Sequence, residues 1–504
     1  MKYEIFNGNE FIYENSCGSA EAPKLYSARN SFCGMQIKIY SNGKIRLYTE
    51  NSNIKSEIFR LLPVRVNRNS DYTDVLDTEQ TSREEMKKYY TAQAPFIVYD
   101  PIVPLENNCA ECNEALYIYI RFEIPKELFP GTYTGNFVIE SNEETEKIPF
   151  NITVYNACVN DKPKFNLIHW WGMPQMSDKN FDFLNDLDDI IKLARYSHQN
   201  YINLFGRLFS FKGGKFDFTL VEKYIKKLLD MGFEKIESPQ LTSIYKSVIE
   251  PIAKCGIDSE AGCMLTERFL REWYGCLEKN GWTKITIQHV FDEPKEKDIP
   301  RYKHFAELIH KNMPGIPTAD AILTDKALEF ADIAIPTTRF YQLNKEIYRN
   351  FRKNGGKLWL YTCCWPSAPY LNRFLDMPLL SVRFIHWLCF RENVDGYLHW
   401  GFCTGVKGND VYLNPSVKFK EFGVDSEQYL PAGDTNIVYP YNGGFIGSMR
   451  LEALRAGIED FDLFTQLGEK SKRIINSCVT ENMTGIYDIK NFDEALKNLL
   501  EELK

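Results

Sequence analysis

The sequence predicts two folded parts: an N-terminal β-sandwich (residues 1–160) and a (β/α)8 barrel of the TIM type (residues 161–470), with a helical extension at 471–504. Three observations lead there. Short alternating runs punctuated by Gly, Pro and Asn fill the first third of the chain. Beyond it, an amphipathic helix, a glycine and a short apolar run recur in that order, as successive β-α units of a parallel sheet require. Eight such runs occupy roughly 300 residues, the number and length of an eightfold barrel.

The elements follow in order. "MQIKIYSNGKIRLYTE" alternates around Asn42-Gly43, a dipeptide that favours a tight hairpin turn. "ALYIYIRFEIP" alternates again, "PGTYTGNFVIES" sets Pro130-Gly131 in a turn before a strand, and "IPFNITVYNA" closes the series. "VNDKPKF" reads as a linker. "LNDLDDIIKLARYSHQN" and "FTLVEKYIKKLLDMGF" then carry apolar residues at helical spacing, the second ending at Gly232. The same stop recurs at Gly281, Gly315 and Gly356, each before a strand. The eight strands begin near Phe165, Tyr201, Lys235, Lys284, Ile316, Ala331, Lys357 and Val394. A doubly wound open sheet is the rival, but no GxGxxG opens a helix after the first strand. "SMRLEALRAGIEDFDLFTQLGEK" supplies a last barrel helix and "NFDEALKNLLEELK" a surface helix at the end.

At 504 residues the chain exceeds one ordinary core. A net charge of −8 and a pI near 5.6 offer no basic field to nucleic acid or an anionic membrane. No apolar run reaches the ~18 residues of a membrane helix, so no membrane insertion is expected. The first residues lack a basic stretch followed by an apolar one, and the expectation is a cytoplasmic protein. Thirteen scattered cysteines suit reduced thiols. The one CxxC, Cys109 to Cys112, sits in a polar, loop-like stretch without the second ligand pair zinc needs. Seven histidines without HExxH complete the expectation of no metal and no cofactor.

In such a barrel, catalytic groups gather at the C-terminal ends of the strands. Strand one ends in His169-Trp170-Trp171, strand four in Asp292-Glu293, strand seven in "YTCCWPS" with Tyr361 and Trp365, and strand eight in His399, Trp400 and Phe402. Four of the eight tryptophans lie in these tails. Aromatic faces stack on the apolar faces of sugar rings and carboxylates grip hydroxyls, so the rim suits an oligosaccharide or glycoconjugate. Each residue also has a plainer explanation. Asp292-Glu293-Pro294 could cap the next helix, the tryptophans could be core, and Tyr361 and His399 could satisfy buried polar groups. Cys363-Cys364 read as small apolar fillers. The coincidence of acids and aromatics on one rim favours the functional alternative.

Two carboxylates in a sugar-binding barrel point to glycoside hydrolysis, but neighbours in sequence cannot easily flank an anomeric carbon from both faces. They can serve one side. Glu293 then protonates the leaving oxygen while Asp292 holds the N–H of a 2-acetamido group, whose own carbonyl attacks the anomeric carbon. An ionised Asp292 raises the pKa of Glu293 and keeps it a proton donor. Tyr361 is the candidate donor to the acetamido carbonyl.

The whole chain resembles glycoside hydrolase family 123 and its DUF4091 relatives, which include β-N-acetylgalactosaminidases. The resemblance rests on "FIVYDPIVPL", "PGTYTGNFVI", "VFDEP" and "GDTNIVYPYNGG…SMRLEALRAGIEDFDLF". It implies a sandwich plus barrel, retention of configuration and substrate assistance, with Asp292 orienting the acetamido group and Glu293 as general acid/base. It also singles out Asp434, Arg450, Glu452, Arg455 and Glu459. Asp434, in a loop after strand eight, is expected to bind hydroxyls; Arg455 and Glu459, four apart, are expected to pair on their own helix. The expected activity is exo-acting removal of β-linked N-acetylgalactosamine, with Trp365 and Trp400 walling the sugar site. Two alternatives stand beside it: a non-catalytic carbohydrate-binding protein, and a glycosidase for sugars without the acetamido group, for which Asp320 is the one readable opposing carboxylate.

Overall fold

The computed structural model describes residues 1–50, 53–70, 87–243, 256–423 and 425–503; Lys504, at the end of the expected helical extension, lies outside them. The chain divides into two compact units. One comprises Met1–Phe165, Cys364–Glu392 and Gly405–Lys504, the other Asn166–Cys363 and Asn393–Thr404. The segments 364–392 and 405–504, assigned from the sequence to the barrel and extension, thus share a unit with the N-terminal strands.

The first unit is built on one nine-stranded sheet, not on two stacked sheets. Its strands are β1 (Lys2–Asn7), β2 (Ile12–Tyr13), β3 (Lys24–Arg29), β4 (Ser31–Glu50), β5 (Ser56–Val66), β6 (Phe96–Pro104), β7 (Cys109–Ile124), β8 (Gly131–Glu140) and β9 (Thr145–Cys158). They run in the order β2-β6-β5-β7-β4-β8-β9-β3, with β1 added to β4. The sheet curls over its own core. β7 and β9 are separated by β4 and β8, about 14 Å in a flat sheet, yet the rings of Phe122 and Phe150 are 4.6 Å apart. Ile37, Ile39, Leu47, Ile118, Ile120, Phe137 and Ile152 fill the space so enclosed.

Two local expectations fail for identifiable reasons. Asn42-Gly43 makes no hairpin: β4 runs straight through it, with β7 paired alongside from Ser31 to Arg46. The turn propensity survives only as a kink, with Gly43 at φ +92° and Asn42 Oδ1 accepting the Glu114 amide. The CxxC is not a loop either, since Cys109 and Cys112 both lie in β7. Residues three apart on a strand face opposite sides, so this pair cannot share a metal ion.

The C-terminal helices cover this sheet. Helix Met449–Leu467 starts at Ser448, whose hydroxyl accepts the Leu451 amide. Its Glu452 meets Arg121 of β7 at 2.8 Å, and Arg455 pairs with Glu459 at 2.6 Å as its spacing predicts. Arg450 is fully buried; its Nε lies 2.8 Å from Asp100, and it donates to the carbonyls of Gly433 and Arg373 and to the Tyr439 hydroxyl. The motif residues of β6, the "GD…YP" loop and this helix therefore hold one another. A side chain at Gly433 would stand 2.5 Å from Arg450 Nη1, so only glycine fits.

Helix Ile489–Glu502 packs on β3 and β9. Its Asp493 accepts both Asn7 Nδ2 contacts, at 3.1 and 3.3 Å. Burial nevertheless pushes its carboxyl up to about 6. Because the folded pKa exceeds the unfolded one, the folded state binds the extra proton: the contribution of this group to stability is greatest below about pH 4 and is lost as pH rises through about 6. Asp493→Asn is expected to abolish that decline and to gain about 1–2 kcal/mol at pH 7, read from urea denaturation at pH 4 and pH 7.

The second unit carries eight parallel strands: Asn166–His169, Tyr201–Asn203, Lys235–Ser238, Thr286–Gln288, Ala319–Ala321, Ile333–Ile335, Lys357–Thr362 and Gly396–His399. They form a five-stranded sheet in the order first-eighth-seventh-sixth-fifth and a three-stranded sheet of the second to fourth. A single parallel bridge, Gln288 to Thr318, joins the fourth strand to the approach of the fifth. Between the first and second strands, side chains take the place of a ladder: Asn200 Oδ1 accepts the Leu167 amide and Gln199 Nε2 donates to the His169 carbonyl. Gly232, Gly281 and Gly315 end helices at φ +95°, +74° and +81°, whereas the fourth such stop is Gly355, at φ +98°, one residue before the expected Gly356.

Candidate active site

At the C-terminal end of the fourth strand the chain makes one more short parallel pairing, Phe291–Asp292 alongside Thr242–Ser243. Glu293 follows with φ +52°, a left-handed conformation that costs a side-chain-bearing residue on the order of 1–3 kcal/mol. Its amide is anchored to the Ala321 carbonyl at 2.9 Å. In an extended strand, consecutive side chains face opposite ways. The left-handed turn breaks that alternation, and the Tyr361 phenol feels the charge of both carboxylates, Glu293 first.

Tyr361 comes from the seventh strand and donates its hydroxyl to Glu293 Oε1 at 2.6 Å. Burial first, and the Glu293 charge second, keep this phenol protonated far above neutrality. Asp292 is half-buried. Its carboxyl is pushed well above the usual carboxylate range, by burial first and by the adjacent Glu293 second. Asp292 therefore retains a proton where an isolated carboxyl would have lost it.

Beneath the pair lies a second charged group. His289 places Nε2 2.6 Å from Glu237 Oε1 and Nδ1 3.4 Å from Asp320 Oδ1. Burial alone would lower its pKa, but the Asp320 and Glu237 carboxylates outweigh this and hold it at about 10. Glu237, on the third strand, also accepts Trp170 Nε1 at 2.8 Å and Asn203 Nδ2. Asp320, on the fifth, accepts the amides of Val290 and Phe291 at 2.9 and 3.0 Å and the Tyr302 hydroxyl at 3.0 Å. It is completely buried, so its oxygens serve the protein and not an opposing reaction face. Among the described residues no three His, Cys, Asp or Glu side chains are grouped to hold a metal ion.

The remaining residues proposed from the sequence separate clearly. Trp170 joins the cluster through Glu237, half-exposed, its indole edge-on to His289 with centroids 5.8 Å apart. Trp171 is buried against Phe233 and donates to Gln199. His169 packs on Phe402, and His399 accepts the Gly401 amide through Nδ1. These three are core. Trp400 is half-buried directly after the eighth strand. Trp365 and Asp434 belong to the other unit and are both buried there, the Asp434 carbonyl accepting Arg373 Nη2 at 3.1 Å.

Glu237 and His289 were not singled out from the sequence. Glu237 lies in "EKIES", the end of a strand whose tail bears no aromatic residue, and reading every strand end for carboxylates would have found it. His289 stands three residues before Asp292, but nothing in the sequence shows that it meets two acids from other strands.

Comparison with known proteins gives a family and a fold. The model of the family described as glycoside hydrolase 123, catalytic domain, matches residues 190–467, more than half of the chain. A family 123 glycoside hydrolase from Clostridium perfringens, studied for glycolipid glycan hydrolysis, superimposes with a TM-score of 0.74 at 15% identity, covering 100% of this chain and 98% of that one. A β-glucuronidase from Parabacteroides merdae gives a TM-score of 0.34 at 10% identity, over 90% of this chain and 52% of its own. The endo-β-1,4-mannanase of Thermotoga petrophila gives 0.40 at 12% identity, over 60% and 78%. No curated protein matches.

Proposed function

Since the chain belongs to glycoside hydrolase family 123, we propose that it is a retaining, exo-acting hydrolase of terminal β-linked N-acetylgalactosamine or a closely related 2-acetamido sugar. It acts by substrate assistance through an oxazolinium-type intermediate. The reading also takes the two parallel sheets as halves of one (β/α)8 barrel with Asp292 and Glu293 at its mouth.

One observation carries the proposal. Glu293 meets the Tyr361 phenol beside its sequence neighbour Asp292, while two further carboxylates, Glu237 and Asp320, are both committed to His289. A retaining site with a protein nucleophile needs a second carboxylate about 5–5.5 Å from the acid, across the anomeric carbon. On this reading Asp292 and Glu293 serve one side of the sugar, and the substrate supplies the nucleophile.

Each group then has a task. The acetamido N–H donates to Asp292, which favours its charged form and settles the shared proton on Glu293. Tyr361 exchanges Glu293 for the acetamido oxygen and orients it for attack. The C1–O bond to the aglycone breaks as the carbonyl oxygen bonds to C1, and Glu293 gives its proton to the leaving oxygen. Glu293, now ionised, deprotonates the water that reopens the ring at C1, which restores the β configuration. Trp170 and Trp400 are the aromatic walls this unit provides.

A panel of aryl β-glycosides tests the proposal. The expected result is turnover of the N-acetylgalactosaminide and tight inhibition by a thiazoline mimic of the cyclic intermediate. Turnover only of sugars lacking the acetamido group, insensitive to the thiazoline, would overturn it, as would sugar binding with no turnover.

A further inference from the structure

His289 lies outside the two-acid mechanism, yet its ring sits between two buried carboxylates. Both ring nitrogens face carboxylates, Nε2 at 2.6 Å from Glu237 and Nδ1 at 3.4 Å from Asp320. A neutral imidazole has a single N–H, so one of these contacts would set a lone pair against an oxygen. Each acid also accepts from other donors, as a carboxylate does. Glu237 receives Trp170 and Asn203; Asp320 receives two backbone amides and Tyr302. The economical state is an imidazolium between two carboxylates.

We propose that His289 is a permanent cation that positions the acid pair electrostatically: it offsets the buried charge of Glu237 and Asp320 and so lets Asp292 ionise while Glu293 keeps the shared proton. The groups facing it are Glu237, Asp320 and Asp292, with Trp170 edge-on and Tyr302 behind Asp320. His289 acts on Asp292 against the other three carboxylates, lowering a pKa that burial, Glu293, Asp320 and Glu237 raise. The consequence for turnover rests on the functional reading above; the charge on His289 does not.

The two are tested separately. In protein carrying 15N-labelled histidine, the signal absent from His289→Gln is assigned to His289. It is expected to show two protonated ring nitrogens at pH 8; a neutral tautomer there overturns the proposal whatever the enzyme hydrolyses. For turnover, His289→Gln is expected to move the acidic limb of kcat/KM on the aryl N-acetylgalactosaminide up by about one pH unit, as loss of a nearby cation raises a carboxyl pKa. An unmoved limb overturns it. Glu237→Gln serves where the first variant does not fold. It keeps an acceptor for Trp170, and the His289 titration is expected to fall into the range of about pH 6–8 once one carboxylate is neutralised; a titration left where it was overturns the proposal. Doubly protonated His289 in an enzyme that cleaves no 2-acetamido sugar would defeat the functional reading and leave the cation standing.

Discussion

Glu293→Gln is expected to lower kcat/KM about 10²–10⁴-fold on a β-N-acetylgalactosaminide with an alkyl or sugar aglycone, the usual contribution of a positioned general acid. On a dinitrophenyl glycoside the loss should shrink to about tenfold or less, because that leaving group departs without a proton. The contrast identifies the role. A glutamine amide still accepts the Tyr361 hydroxyl that now reaches Glu293 Oε1 at 2.6 Å, and the left-handed backbone at φ +52° is unchanged. The variant therefore removes the proton and little else. Equal losses on both substrates, or none, would remove Glu293 from the reaction.

The second large effect concerns stability. Arg450→Met is expected to destabilise the protein by about 3–5 kcal/mol, the range for stripping one partner from a buried ion pair. Asp100 is fully buried and would keep only the Tyr439 hydroxyl at 2.7 Å and the residue 450 amide at 3.1 Å. The Gly433 and Arg373 carbonyls would lose their donor as well. Neutralising the orphaned charge in Asp100→Asn/Arg450→Met should recover part of the loss, since much of the penalty belongs to the uncompensated carboxylate. Urea denaturation of the two single variants and the double variant measures this, and additive losses would exclude the coupling.

That result would also separate two kinds of motif residue. "VFDEP" and "GD…YP…SMRLEALRAGIED" are equally conspicuous in the sequence, but they do different work. Glu293 meets a phenol, and Asp292 beside it holds its proton more tightly than a free carboxyl. Arg450, Arg455, Glu452 and Glu459 neutralise one another, Asp100 and Arg121. A run of polar residues in an apolar helix signals burial with partners; only the partners reveal whether the charge is available for chemistry.

The amino-acid order alone determined what depends on near neighbours. Short apolar runs between helices, four of them set off by a glycine stop, located the eight parallel strands to within a few residues, because that pattern is written over some twenty residues at a time. Reading the strand tails named Asp292, Glu293 and Tyr361, and the last two meet at 2.6 Å. Tertiary structure decided everything that depends on which distant segments meet. It carried β4 through Asn42-Gly43, because the long partner β7 outweighed a local turn preference. It curled nine strands into one sheet where two were expected, and left the parallel strands as sheets of five and three with side chains bridging a seam. It also set His289 between Glu237 and Asp320, residues 52 and 31 positions away. Proton affinity in a buried cluster is a sum over charges brought together through space, and linear order does not encode that sum.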